Sequence, residues 1–79
     1  RQSLSLAGVR DGALVAAWLR EGAAGLAPGN WLRVIDYDER AAGLPDAAML
    51  DGWVADRPVR MLDRTGALWV LNSAALRVI

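Results

Sequence analysis

The chain has 79 residues, too few for more than one small domain. A fold of this size buries only about 60% of the surface that its unfolded chain exposes, which predicts marginal stability. It has neither cysteine nor histidine, which excludes a disulfide framework, a thiolate metal site and the commonest catalytic base.

All nine basic residues are arginines, and they balance nine acidic ones to zero net charge, against nucleic acid as the main partner. No apolar run approaches the roughly 20 residues of a membrane span, and "RQSLSLAGVR" lacks a signal-peptide core. The expected location is therefore cytoplasmic. Apolar residues make up 54% of the chain, and with four tryptophans (18, 31, 53 and 69) they predict more sticky surface than so short a chain hides by itself.

The first helix is expected after Asp11, a good N-cap because its carboxylate accepts the orphan N–H groups of the first turn. Leu14, Val15, Trp18, Leu19, Gly22, Ala23 and Leu26 recur at helical spacing, and Gly25 with the turn dipeptide Pro28-Gly29 ends the element. Trp31 to Tyr37, rich in β-branched and aromatic residues, reads as a strand. Its apolar residues fall on both alternation sets (Trp31, Ile35, Tyr37 and Leu32, Val34), which implies partial burial of both faces. A second helix follows the N-cap Asp46, shows Met49, Leu50, Trp53 and Val54 on one face, and is expected to close at Pro58. Residues 59–64 are a second strand, and the resulting βαβ unit predicts parallel strands with a right-handed crossover.

In the last segment Leu68, Leu71, Ala75 and Leu76 fit a helical stripe. The competing assignment is a short strand at 68–71 followed by a helix capped by Asn72 or Ser73. The expected class is α/β (α+β): a single small unit over 1–79 with about three helices and a short parallel sheet. A two-stranded sheet with open edges is rarely stable alone, which points to a piece of something larger.

Few residues could carry chemistry. Asp36, Asp38 and Glu39 at a strand end could hold a hard cation, although their spacing matches no closed ion-binding loop and suits a solvated strand end. Asp63-Arg64 could orient a ligand's carboxylate or amide, or serve as an internal salt bridge or loop anchor. Asn72-Ser73 could hydrogen-bond a substrate, but suits cap duty better. The tryptophans read as core or subunit-contact residues. "GAAGLAPGN" follows a helix instead of leading a strand into one, so it is no phosphate loop. No serine has a histidine partner, so nucleophilic catalysis of that kind is unavailable.

Three strings in order, "NWLRVIDYDE", "LPDAAMLDGWVADRPVRM" and "DRTGALWVLNSAALRV", resemble the amidohydrolase family 3 proteins. These are metal-dependent hydrolases of the group that includes N-substituted formamide deformylases. The residues that carry the resemblance are Gly29, Trp31 and Leu32, then Tyr37-Asp38-Glu39, Pro45 with Leu50-Asp51, and Asp56-Arg57-Pro58-Val59. Gly66, Asn72-Ser73, Ala75 and Leu76 complete it, over essentially the whole chain from Leu4. The family pattern has histidine directly after that last glycine, and this chain has Ala67.

The resemblance implies a (β/α)8-barrel hydrolase with an inserted small α/β region, of which this chain is a fragment, acting on an amide-type C–N bond of a small molecule. It implies a divalent metal, with zinc favoured, held in the parent by residues outside these 79, including a His-x-His pair. No metal ligand and no catalytic residue is assigned within the chain, and by itself it is expected to be inactive. Its expected job is to wall the substrate pocket, with Tyr37, Asp38, Glu39, Arg64, Trp69 and Asn72 as the candidates. The expected partner is the remainder of the barrel. The alternative is an independent interaction module that self-associates through an open sheet edge, without nucleic acid or membrane.

Overall fold

The structure is a computed structural model that describes residues 3–79; Arg1 and Gln2, part of the expected 1–79 unit, lie outside the described residues. Seven elements run in order: β1 (Leu4–Ser5), α1 (Gly12–Ala24), β2 (Leu32–Tyr37), α2 (Ala47–Trp53), β3 (Val59–Asp63), β4 (Trp69–Leu71) and α3 (Ser73–Val78). The class is α/β, with three helices on one four-stranded mixed sheet of order β1-β2-β3-β4. β2 pairs in parallel with both β1 and β3, as the βαβ reading of its second half requires, and β4 runs antiparallel to β3. No helix among the described residues is long and apolar enough to cross a membrane.

The helix starts obey local chemistry. Asp11, in extended backbone, accepts from the Ala13 N–H at 2.8 Å, and Asp46 accepts from the Met49 N–H at 2.9 Å. Val15, Leu19 and Ala23 turn α1 onto the sheet, α2 contributes Leu50, and Leu32, Val34, Tyr37, Val59 and Met61 receive them. A fully buried Leu or Val here contributes about 1.5–3 kcal/mol of apolar transfer free energy, the dominant favourable contribution in so small a fold. At Gly22 the chain comes close, since a Cβ there would lie 3.2 Å from Leu4 Cδ2. That position lets α1 settle on β1.

Four expectations change. The sheet has four strands, not two, because Leu4–Ser5 adds an edge too short to show periodicity. The last segment takes the strand-then-helix form: Trp69–Leu71 pairs with β3, and Asn72 caps α3. Helix α2 stops at Trp53, five residues before Pro58, because Val54 turns extended and Arg20 donates to the terminal carbonyls of Gly52 (3.1 Å) and Trp53 (3.0 Å). Tyr37 joins the buried face of Leu32 and Val34, not the opposite set. Two β2 residues, Ile35 and Asp36, lie between Val34 and Tyr37 where β3 has only Leu62 between Met61 and Asp63, so a bulge inserts one residue and resets the alternation.

The bulge places Asp36 at φ 63°, the one non-glycine residue at positive φ among those described, with its carboxylate held by the Ser5 hydroxyl at 2.8 Å. The helices cover only one face of the sheet. On the other, Arg33, Ile35, Arg60, Leu62 and Leu71 are half-buried and Trp69 is exposed. None of the four tryptophans is fully buried. Mostly parallel sheets are normally covered on both faces, so this uncovered face is unusual.

Candidate functional site

The carboxyl ends of β1, β2 and β3 lie together, the end of a parallel sheet where ligands are commonly bound. The loop leaving β2 coils tightly there. Ala41 N–H donates to Asp38 O at 2.9 Å, Gly43 N–H donates to Glu39 O at 2.6 Å, and Gly43 takes φ 87°, a conformation that suits a residue without Cβ. The Tyr37 hydroxyl closes the loop by donating to Gly43 O at 2.7 Å, and its ring meets Trp53 at 6.3 Å between centroids. Burial pushes the Tyr37 phenol above its usual range. Tyr37, expected at the pocket wall, is completely buried and belongs to the core.

Asp38 is 5% exposed, and three arginines converge on it. Arg40 takes most of its lone pairs: the backbone N–H donates to Oδ1 at 2.9 Å, Nε to Oδ1 at 3.0 Å and Nη2 to Oδ2 at 2.7 Å. Arg10 and Arg64 stand further off, with Nε 3.5 Å from Oδ2 and 4.0 Å from Oδ1, respectively. The hydrogen bonds from Arg40 hold the Asp38 carboxyl far below the usual carboxylate range. Glu39 is exposed beside this group.

The β3–β4 hairpin reaches the same end. Arg64 N–H donates to Tyr37 O at 2.9 Å and so ties the hairpin to β2. Asp63 then organises the turn, with Oδ1 accepting from the Thr65 hydroxyl at 2.9 Å and from the N–H groups of Ala67 and Leu68 at 3.2 Å each. Burial alone would raise the Asp63 carboxyl, but these donors, Leu68 N–H foremost, hold it below the ordinary range. Gly66 supplies the φ of 78° that the turn needs. Ala67, which follows that glycine, is exposed on this hairpin. Trp69 faces away from the helices, with the Arg60 guanidinium 4.9 Å from its ring centroid.

Asn72 lies elsewhere, at the amino end of β3. Its Nδ2 donates to Val54 O at 3.0 Å and Arg57 O at 2.8 Å, and its Oδ1 accepts from Val59 N–H and Ala75 N–H, both at 2.9 Å. All four of its bonding positions are used inside the fold, so Asn72 is a buried hub and not a pocket residue. Beside it Ser73 donates through its hydroxyl to Asp51 Oδ2 at 2.6 Å and through its N–H to Oδ1 at 2.9 Å. The hydroxyl first, and then the N–H, lower the Asp51 carboxyl.

Of the six expected wall residues, the structure brings Asp38, Glu39 and Arg64 together at the strand ends. Trp69 lies on the helix-free face, and Tyr37 and Asn72 are internal. Arg10 and Arg40 complete the cluster without having been anticipated. Arg40 had a signal in its spacing, since a residue two after an aspartate commonly donates to it in an Asx turn. Arg10 had none, because only the fold carries the chain before α1 to the end of β2. The acidic run does not converge on a cation: Asp36 turns to Ser5 and Asp38 to the guanidiniums. Among the described residues no group of three or more His, Cys, Asp or Glu side chains could hold a metal ion. Comparison with protein-family models, with curated proteins and with solved structures returns no match for this chain.

Proposed function

We propose that this α/β unit is part of a metal-dependent amidohydrolase of the family 3 type and forms one wall of its substrate pocket. The observation that carries the reading is the way its ordered motifs interlock. Leu50-Asp51 meets Asn72-Ser73 through the Asp51–Ser73 pair, and Asp56-Arg57-Pro58-Val59 meets Asn72 through Arg57 O and Val59 N–H. Residues far apart in the sequence that carry the resemblance thus hold one another in place. Of the other residues that carry the resemblance, Asp38-Glu39 and Gly66 lie at the carboxyl ends of the strands, where a barrel mouth would need them. The helix-free sheet face is further support, because the rest of a barrel would cover it.

The described residues do not fit a metal, so in this reading the zinc and its ligands belong to the parent protein, and the chain's own role is to shape and line the pocket. The test is to read the coding sequence on both sides and assay the encoded protein against an N-substituted formamide, with and without added zinc. A His-x-His pair upstream and zinc-dependent hydrolysis support the reading, and Ala67→His then tests the altered position. Flanking sequence without either feature sinks it.

The second reading, an interaction module that pairs through its own surface, is favoured by Trp69 on the edge strand β4 and by the exposed Leu76, Val78 and Ile79. Light scattering across a concentration series separates the two. One sharp oligomer favours the module, and gradual unspecific association favours the fragment.

A further inference from the structure

We propose that Arg10 and Arg64, held at opposite oxygens of Asp38, form a binding site for a single carboxylate group of a small molecule. The geometry separates the three guanidiniums at Asp38 into two kinds. Arg40 spends its backbone N–H, Nε and Nη2 on this carboxylate. Arg10 and Arg64 are only drawn near it, and neither donates a side-chain hydrogen bond to any described residue. Their side chains are 62% and 53% exposed, against 6% for that of Asp38. A buried carboxylate therefore gathers two guanidiniums at one place and leaves their outer donors open to solvent. A planar acceptor with two oxygens matches such donors.

The surrounding charge selects the ligand class. Three arginines stand here against Asp38 and the exposed Glu39. Asp36 and Asp63, with their carboxylates turned to Ser5 and to the hairpin, add negative field at the rim. That field disfavours a polyanion such as phosphate and leaves a monoanionic carboxylate as the better match. Asp38 is a positioning residue in this site and touches no ligand. The inference does not depend on the hydrolase reading, since it uses only side chains of this chain.

The experiment is an NMR titration of the full 15N-labelled chain, following arginine Nε–H resonances while acetate is added at constant ionic strength. Inorganic phosphate serves as the second arm. Saturable shifts at Arg10 and Arg64, with Arg20 and Arg57 unmoved, are expected with acetate. Arg10→Gln and Arg64→Gln should each weaken binding about tenfold, the value of one charge-assisted hydrogen bond. Glu39→Gln, a change at an exposed position, should tighten it about twofold by removing a like charge. The proposal is overturned if acetate gives no saturation at tens of millimolar, or if the double arginine variant binds it unchanged. Tighter binding of phosphate than of acetate overturns the assignment to a carboxylate.

Discussion

The two ends of the β2–β3 pair carry polar clusters built on opposite principles. At the amino end Asn72 satisfies every donor and acceptor it has, inside the protein and away from water. At the carboxyl end Asp38 is equally satisfied, but two of the arginines it attracts are not. A closed network fixes the chain path: it joins the end of α2, the start of β3 and the cap of α3, and offers nothing to a ligand. An open one pre-positions groups for something else. Asp38 and Asn72 were both candidate pocket residues from the sequence, so residue type alone does not distinguish a structural residue from a binding one. What separates them is the count of unused hydrogen-bond donors.

The largest expected effect is at the closed end. Asn72→Ala leaves Val59 N–H and the carbonyls of Val54 and Arg57 buried without partners, which should cost on the order of 3 kcal/mol or more, measured by urea denaturation. Asn72→Asp sharpens the point, because it keeps a good N-cap acceptor for α3 but loses the two donors. It should be nearly as damaging as alanine; if it is mild, Asn72 is only a cap and the contrast between the two ends fails. Ser73→Ala, at the margin of the same network, should cost about 1 kcal/mol.

Acid should act on both ends. Asp38, Asp51 and Asp63 all have lowered folded-state carboxyl values, so the stability they contribute is present above the unfolded value near 3.9 and is lost as pH falls through their folded values. The thermal midpoint should therefore fall progressively below about pH 4. Asp38 is the most strongly lowered of the three, so Asp38→Asn should remove the part of that decline that extends to the lowest pH. A midpoint that is flat below pH 4 would mean that the carboxylate cluster contributes nothing to folding.

The smallest effect is expected at the open end. Arg10→Gln and Ala67→His should leave the denaturation midpoint unchanged, because both side chains are exposed and Ala67 is held through its backbone N–H alone. A marked loss in Arg10→Gln would recast the Asp38 cluster as a structural knot like that of Asn72.

Helices α1 and α2 were legible at their starts because an aspartate cap acts within one turn, whatever the rest of the chain does. β2 and β3 were legible because β-branched runs between turn residues are local features, and their parallel pairing is dictated by the helix between them. The α/β class and the three helices thus came from the sequence by itself. The C-terminal segment was ambiguous for a physical reason: Leu68, Leu71, Ala75 and Leu76 suit a helix, and only pairing with β3 draws Trp69–Leu71 into a strand and leaves Asn72 to cap α3.

Asp38, Glu39 and Arg64 could be picked out as polar residues at strand ends, but their arrangement could not. A one-residue bulge at Asp36 decides which way Tyr37 points, and an alternation pattern has no means of showing an inserted residue. Arg10 comes to Asp38 from 28 positions earlier in the chain, across α1 and β2. Caps, turns and strand runs depend on neighbours within a few residues, so the sequence by itself determined them. Which arginines meet a buried carboxylate, and which of their donors stay free, depends on contacts between distant segments, and only the tertiary structure decided that.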